Sequence, residues 1–196
     1  SEQRVAEGRV RGDLATSDSS FDLVLTTEET ARLETFAREN GTNVETALQL
    51  AWAYLLHRYS READVVFGAV HSGRGIDVDR MGDMVGAFVT TVPVRVSFGE
   101  HANPAELLRI LGHQSRSAQE HGTLSLAEIQ QQSGVAGGMP LFDSLLVFNE
   151  TSFAAELAAA SGMRLESFEY HAPTQFPLTL TVTRDSTLTI RCGYSA

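Results

Sequence analysis

The chain has 196 residues, 42% of them hydrophobic and 20% charged, and is expected to form one domain with a sizeable core. Its formal net charge of −10, without any cluster of Lys and Arg, argues against nucleic acid as a partner. A single cysteine, Cys192, excludes an internal disulfide and a multi-cysteine zinc site, and no apolar run approaches the ~18 residues of a membrane span. These features predict an acidic cytoplasmic domain that uses neither nucleic acid nor membrane.

The N-terminal third predicts an arm, a strand and two helices. Residues 1–19 show no apolar periodicity and are expected to form a linker or extended arm. Alternation from Phe21 then predicts a strand of about six residues. Helices are predicted over 28–39 and 43–59. Each begins at a capping box, in which a threonine precedes a glutamate by three positions: Thr26 with Glu29, and Thr42 with Glu45.

The rest of the chain mixes strands and helices without a regular βαβ alternation. Residues 64–70 predict a buried strand, and 88–98 predict another at an edge or bulge, because Pro93 lacks a ladder donor. The remaining elements are a loop at 72–84, helices at 104–121 and 124–132, a strand at 142–148, an Ala-rich segment at 151–162, and strands at about 163–170, 177–183 and 187–192. This order predicts a mixed α/β fold, with one sheet covered by helices on one face.

Candidate catalytic and metal-binding residues give no function by themselves. Each of the six histidines is expected to be structural or solvated, because none lies beside a nucleophile in a known motif. No paired His or Cys spacing predicts a metal site, and the loop with Asp77, Asp79 and Asp83 lacks the glycine and glutamate of an EF-hand. Arg74 is expected at a sheet end, where it can pair with a carboxylate as a surface pair or as a functional one.

Four ordered segments closely resemble the second lobe of the condensation domains of nonribosomal peptide synthetases. They are LQLAWAYLLHRYSREADVVFGAVHSGR (48–74), VGAFVTTVPVR (85–95), QEHGTLSLAEIQQQSG (119–134) and PLFDSLLVFNE (140–150), with a weaker match at FPLTLTV (176–182). The catalytic His-His-x-x-x-Asp-Gly motif of that family does not occur in the 196 residues. The chain is therefore identified over 20–196 as the C-terminal lobe of a condensation domain, with a chloramphenicol-acetyltransferase-like fold.

The resemblance implies how such a lobe works. Two lobes form a V, with the active site in a tunnel between them. The expected partners are the N-terminal lobe that carries the histidine motif, the donor and acceptor carrier proteins, and adjacent synthetase domains. Substrates are expected as thioesters on the phosphopantetheine arms of the carrier proteins, and no cofactor is expected to bind directly. The acceptor amine attacks the donor thioester, and the second histidine of the motif positions or deprotonates that amine.

The resemblance also implies roles for particular residues. None is assigned the main catalytic role, and Arg74 is expected to support the active site by pairing with the aspartate of the histidine motif. The expected tunnel-lining or substrate-binding residues are Ser72, Gly73, Gly86, Phe88, Thr90, Thr91, Pro93, Phe148 and Asn149.

The chain departs from the family pattern at several positions. Thr90 stands where the family usually has Asn, 122–125 replace Gln-Asp-Tyr-Pro, and 149–150 read Asn-Glu where Glu-Asn is usual. The chain ends soon after Tyr194, before the closing helix of such lobes, which favours an excised or truncated lobe. Three functions stay open: half of an amide-forming enzyme, a non-catalytic lobe that docks carrier proteins or a neighbouring domain, and an ester-forming acyltransferase.

Overall fold

The computed structural model describes residues 18–71, 89–99, 103–120, 124–135, 139–149 and 176–195. The helices in these ranges are α1 (Thr27–Glu39), α2 (Val44–Ser60), α3 (Pro104–Glu120) and α4 (Leu126–Gln132). The strands are β1 (Asp18–Val24), β2 (Asp64–His71), β3 (Thr90–Ser97), β4 (Ser144–Asn149), β5 (Leu178–Arg184) and β6 (Leu188–Ser195). None of these helices combines the length and the apolar character needed to cross a bilayer.

The six described strands form one mixed sheet in the order β1-β6-β5-β4-β2-β3. β4 lies parallel to both β2 and β5, and the other neighbouring pairs are antiparallel. Pro93 lies in β3, at one end of this order, and its cross-strand partner is Gly68 in β2. Among the described strands this is an edge position, as predicted for a proline, which has no N–H for the ladder.

The described helices α1, α2 and α3 cover one face of the sheet, as the sequence predicts. Alternate strand residues point to each face, and those on the covered face join α2 and α3 in the main core. Trp52 Nε1 of α2 donates a 3.3 Å hydrogen bond to Ser144 Oγ of β4, which pairs two buried polar groups. The buried core residues are Trp52, Ala53, Val65, Phe67, Ala69, Val92, Val94, Val96, Leu111 and Leu146.

A second cluster joins α2 to the other half of the sheet. Val44 and Leu48 of α2 pack with Val182 of β5 and Leu188 of β6. Thr30 of α1 is also buried, and its hydroxyl accepts a 3.2 Å hydrogen bond from the Leu188 N–H. The helix layer is thus attached to β4, β5 and β6 as well as to β2 and β3.

Local capping chemistry explains where α1 begins. Thr26 Oγ1 accepts a 3.2 Å hydrogen bond from the Glu29 N–H, and the Glu29 carboxylate accepts one of 2.8 Å from the Thr26 N–H. The predicted capping box of Thr26 and Glu29 is therefore confirmed.

The capping box predicted for α2 is wrong. Asn43 caps this helix, and its Oδ1 accepts a 2.9 Å hydrogen bond from the Thr46 N–H. The Thr42 hydroxyl instead donates to the Ala37 carbonyl oxygen, at 3.3 Å. Because Thr42 is already bonded to the preceding helix, the next residue takes the capping position.

The other predicted elements in the described ranges are observed with small shifts at their ends. β1 differs most, because Asp18 and Ser19, assigned to the N-terminal arm, pair with Ser195 and Tyr194 of β6. Because the residues at these positions are polar, apolar alternation does not predict the strand there, although backbone hydrogen bonds continue it. The loop predicted at 72–84, the Ala-rich segment at 151–162 and the strand at about 163–170 lie outside the described residues.

Gly112 allows α3 to pass close to the turn between α1 and α2. This glycine is buried, and a Cβ added to it would lie 2.7 Å from Thr42 Cγ2. Carbon atoms at such a separation repel each other, since optimal contact lies near 3.5–4.0 Å. The spacing of the two segments therefore depends on the missing side chain.

We expect Gly112→Ala to destabilise the chain by roughly 1–3 kcal/mol, because the added methyl group is too close to Thr42. Without that contact, replacing glycine by alanine inside a helix stabilises the helix by up to about 1 kcal/mol. Thr42→Ser removes the Cγ2 methyl and keeps the hydroxyl that bonds to Ala37. In a Thr42→Ser background, Gly112→Ala should therefore be neutral or stabilising in urea-induced unfolding. An equal loss of stability in both backgrounds would show that the Thr42 contact is not the cause.

Candidate functional site

The structure describes some of the predicted site residues and not others. Ser72, Gly73, Arg74, Gly86 and Phe88 lie outside the described residues, so their roles stay predictions. The described ones are Thr90, Thr91, Pro93, Phe148 and Asn149.

Strand direction brings several of these positions to one end of the sheet. β2 ends at His71, whose cross-strand partner is Thr90, the first residue of β3. β4 runs parallel to β2, and it ends at Asn149. The last residue of β2, the first residue of β3 and the last residue of β4 therefore lie at the same end of the sheet.

The face of the sheet opposite the helices, called here the open face, carries Thr91 and Pro93. Cross-strand pairing places each of them in a row that runs over all six described strands. One row contains Thr91, Val70, Val147, Thr181, Arg191 and Asp22. The next contains Pro93, Gly68, Leu145, Thr179, Gly193 and Ser20.

Thr90 and Phe148 point to the helix-covered face instead. Phe148 is half-buried and packs against both core clusters. This packing accounts for its burial without a ligand. Thr90 is also half-buried, and Asn149 is exposed. The predicted tunnel residues are therefore divided between the two faces of the sheet.

Two ion pairs join neighbouring strands on the open face. Arg191 donates to Asp22 from Nε at 2.8 Å and from Nη2 at 2.9 Å, which is a bidentate pair between β6 and β1. Arg95 donates from Nε to both carboxylate oxygens of Asp64, at 2.9 and 3.0 Å, between β3 and β2. In each pair the hydrogen bond from the arginine lowers the pKa of the aspartate, and partial desolvation opposes that effect.

An aromatic contact on the open face was not predicted from the sequence. A Cβ added to Gly68 would lie 2.8 Å from Phe142 Cζ and 2.9 Å from Leu145 Cδ1. The Phe142 ring stacks on Phe176, with the ring centroids 5.4 Å apart and the planes 25° from parallel. We call Gly68, Phe142 and Phe176 the aromatic clasp. A glycine inside an apolar strand was the available signal, since such a residue often marks a close approach.

The described part of the chain gives no support to a metal or nucleophile site. No group of three His, Cys, Asp or Glu residues there could hold a metal ion. His57 stacks on Phe98 with centroids 4.6 Å apart, and its Nδ1 lies 2.6 Å from the Glu62 carbonyl oxygen. Because a carbonyl only accepts, Nδ1 carries the proton, and these contacts fit the structural interpretation of His57. Burial raises the pKa of the Cys192 thiol, which disfavours the reactive thiolate.

Solved structures share this arrangement of one mixed sheet and a helix layer. The condensation domain of the Monacolin K polyketide synthase MokA matches with a TM-score of 0.72 at 16% identity, over 96% of this chain and 45% of that one. A four-domain nonribosomal peptide synthetase, holo-AB3403 bound to AMP and glycine, matches with a TM-score of 0.75 at 14% identity, over 92% of this chain and 15% of that one. The fold is therefore the chloramphenicol-acetyltransferase-like fold of condensation domains.

Sequence comparison agrees with the fold. The family model "Condensation domain" matches residues 5–196. Chondramide synthase cmdD of Chondromyces crocatus is 38% identical over 158 residues, which are 81% of this chain and 4% of that protein. A linear gramicidin synthase of Brevibacillus parabrevis is 36% identical over 172 residues, 88% of this chain and 3% of that protein. The chain belongs to the condensation-domain family, and it spans only a small part of these curated relatives.

Asp22→Asn should lower the free energy of unfolding by less than about 1 kcal/mol at pH 7, since the Arg191 and Asp22 side chains are 45% and 40% exposed. Because Arg191 holds the pKa of Asp22 below its usual range, the pair stabilises the fold above the unfolded-state pKa. That stabilisation is lost as the pH falls through the lower folded-state pKa.

The difference in urea midpoint between the wild-type chain and Asp22→Asn should be largest above about pH 5 and should shrink as the pH falls toward about 2. Asp143→Asn, at an exposed position before β4, is the matched control. A difference that stays constant over this range, or that appears equally in the control, would show that the ion pair is not its source.

Proposed function

We propose that this chain is the C-terminal lobe of a condensation domain that forms amide bonds between carrier-bound thioesters in nonribosomal peptide synthesis. One observation carries the proposal: the family match covers residues 5–196 without the His-His-x-x-x-Asp-Gly motif. The chain also spans only 45% of the MokA condensation domain and 39% of the solved first condensation domain of the calcium-dependent antibiotic synthetase. Both facts fit one lobe of a two-lobe domain.

The proposed reaction transfers an acyl group from sulfur to nitrogen. The amine of the acceptor, held on one phosphopantetheine arm, attacks the thioester carbonyl of the donor on the other arm. A C–N bond forms, the C–S bond breaks, and the donor arm leaves as a thiol. The histidine motif of the N-terminal lobe positions the amine or accepts its proton.

In this proposal the chain supplies one wall of the tunnel and no catalytic base. Thr91 and Pro93 would contribute from the open face, while Asn149 and the segment that begins at Ser72 would contribute from the adjacent end of the sheet. Thr90 would stand near the tunnel mouth, in place of the asparagine usual in the family. Arg74 would brace the histidine motif through its aspartate. Donor and acceptor carrier proteins and adjacent synthetase domains are the proposed partners, and the cytoplasm is the proposed location.

Two alternative functions stand beside the amide proposal, and the substitution at Thr90 favours the first of them. A lobe that has lost a substrate contact there could serve as a docking surface for carrier proteins without catalysis. The chloramphenicol-acetyltransferase-like fold also suits attack by a hydroxyl, which would give an ester. The two alternatives and the amide proposal predict different products.

The deciding experiment uses the intact protein that contains this chain, with its carrier domains loaded by a donor thioester. Equal amounts of amine-bearing and hydroxyl-bearing acceptors are supplied on the acceptor carrier, and products are identified by mass spectrometry. We expect the amide as the main product. Ester alone would support the alcohol-acylating alternative, and no product with correctly loaded carriers would support the docking lobe.

Two variants of the intact protein serve as matched controls. Alanine at the second histidine of the His-His-x-x-x-Asp-Gly motif should abolish most amide formation, because that histidine acts on the acceptor amine. His113→Ala alters an exposed histidine on α3 of this chain and should leave the rate unchanged. Equal effects of the two substitutions would argue against a histidine-motif mechanism.

A further inference from the structure

We propose that the aromatic clasp of Gly68, Phe142 and Phe176 is a positioning device for the condensation reaction. Through β2 and β4, the clasp would fix the positions of the strand ends that line the proposed tunnel. The inference rests on the proposed function, and it assigns the clasp residues no contact with substrate.

Phe142 lies unusually close to β2. The neighbours of Gly68 in the strand, Phe67 and Ala69, are fully buried against the helix layer. Gly68 itself points to the open face, where the Phe142 ring and Leu145 occupy the space of its missing side chain. A methyl group at Gly68 would meet this ring well inside van der Waals contact, so either the ring or the strand would have to move.

The clasp joins three segments that are far apart in sequence. Gly68 lies in β2, Phe142 precedes β4 by two residues, and Phe176 precedes β5 by two residues. Each of the three residues lies in a segment that resembles condensation domains, namely 48–74, 140–150 and 176–182. The stacking of the two rings ties the start of β4 to the start of β5, and the contact of the Phe142 ring with Gly68 ties this pair to β2.

The strands connect the clasp to the predicted tunnel. Gly68 is the cross-strand partner of Pro93 in β3 and of Leu145 in β4. β2 continues from Gly68 to His71 and then to residue 72, while β4 continues from Leu145 to Asn149. Because packed strands move as units, a displacement at Gly68 would be carried to these ends.

The clasp is separate from the packing that holds the sheet to the helices. Phe142 is buried, yet it belongs to none of the three core clusters of the described residues. Its loss therefore leaves the helix-side core in place. We expect the strand ends to change position or mobility while the domain stays folded.

The test uses the intact protein with loaded carriers and compares Gly68→Ala, Phe142→Ala and the double variant. Each single variant should lower kcat for amide formation by about tenfold, since small misplacements of reacting groups cost this much or more. KM for the loaded acceptor carrier should stay within about twofold, because the proposal gives the clasp residues no contact with substrate. In the double variant, the methyl at position 68 enters space vacated by the ring, so kcat should recover by at least about threefold relative to Gly68→Ala.

Leu108→Ala is the matched control for loss of stability. Leu108 is fully buried between the helices, in a cluster with Ala37 and Ala47, so its truncation destabilises the fold without touching the clasp. Its kcat per folded molecule should equal that of the wild-type protein. If the clasp variants lose activity only in proportion to their unfolded fraction, or if the double variant is no better than the worse single one, the positioning role is overturned.

Hydrogen–deuterium exchange separates this proposal from the proposed function. After correction for each variant's loss of global stability, the clasp variants should exchange faster than wild type at the amides of His71, Thr90 and Val147, and Leu108→Ala should not. If the wild-type protein makes no amide, the proposed function fails, and exchange alone still decides whether the clasp positions these strand ends. Unchanged exchange in the clasp variants would overturn the inference whatever the activity.

Discussion

The confinement of β2 from both faces is the constraint on which the rest of the lobe depends. On one face Phe67 and Ala69 are fully buried beneath the helix layer, and on the other Phe142 covers Gly68. β2 also pairs with β3 on one side and with β4 on the other. A strand held in all four directions is a rigid support, and the segment that begins at residue 72 is attached to its end.

The two faces of the sheet differ in chemistry, and the difference follows strand position. On the helix-covered face the buried polar groups are paired, as in the hydrogen bond from Trp52 to Ser144. On the open face, Val70, Pro93 and Val147 are apolar, β2 and β3 also carry the ion pair of Asp64 with Arg95, and β5 and β6 contribute threonines and Arg191. These apolar residues lie nearer than that ion pair to the strand ends at which the proposed function places the tunnel.

Much of this fold could be predicted from the sequence, because local chemistry decides it. The Thr26 capping box depends on neighbouring residues alone, and the position of Pro93 at the end of the described strand order follows from its missing N–H. The capping of α2 was mispredicted, because capping-box spacing does not show that the Thr42 hydroxyl bonds back to Ala37 of the preceding helix. The aromatic clasp was missed for a similar reason: three residues from distant segments meet only once the sheet order is known.

We propose that this chain completes a catalytic centre whose histidine motif lies in another lobe. A double-mutant cycle in the intact protein tests it most directly, by pairing Arg74→Ala with alanine at the aspartate of the His-His-x-x-x-Asp-Gly motif. If the two side chains form one bracing pair, each single variant should slow amide formation strongly, and the double variant should be hardly slower than either. Independent, multiplying effects on the rate would contradict the claim that Arg74 acts through that aspartate.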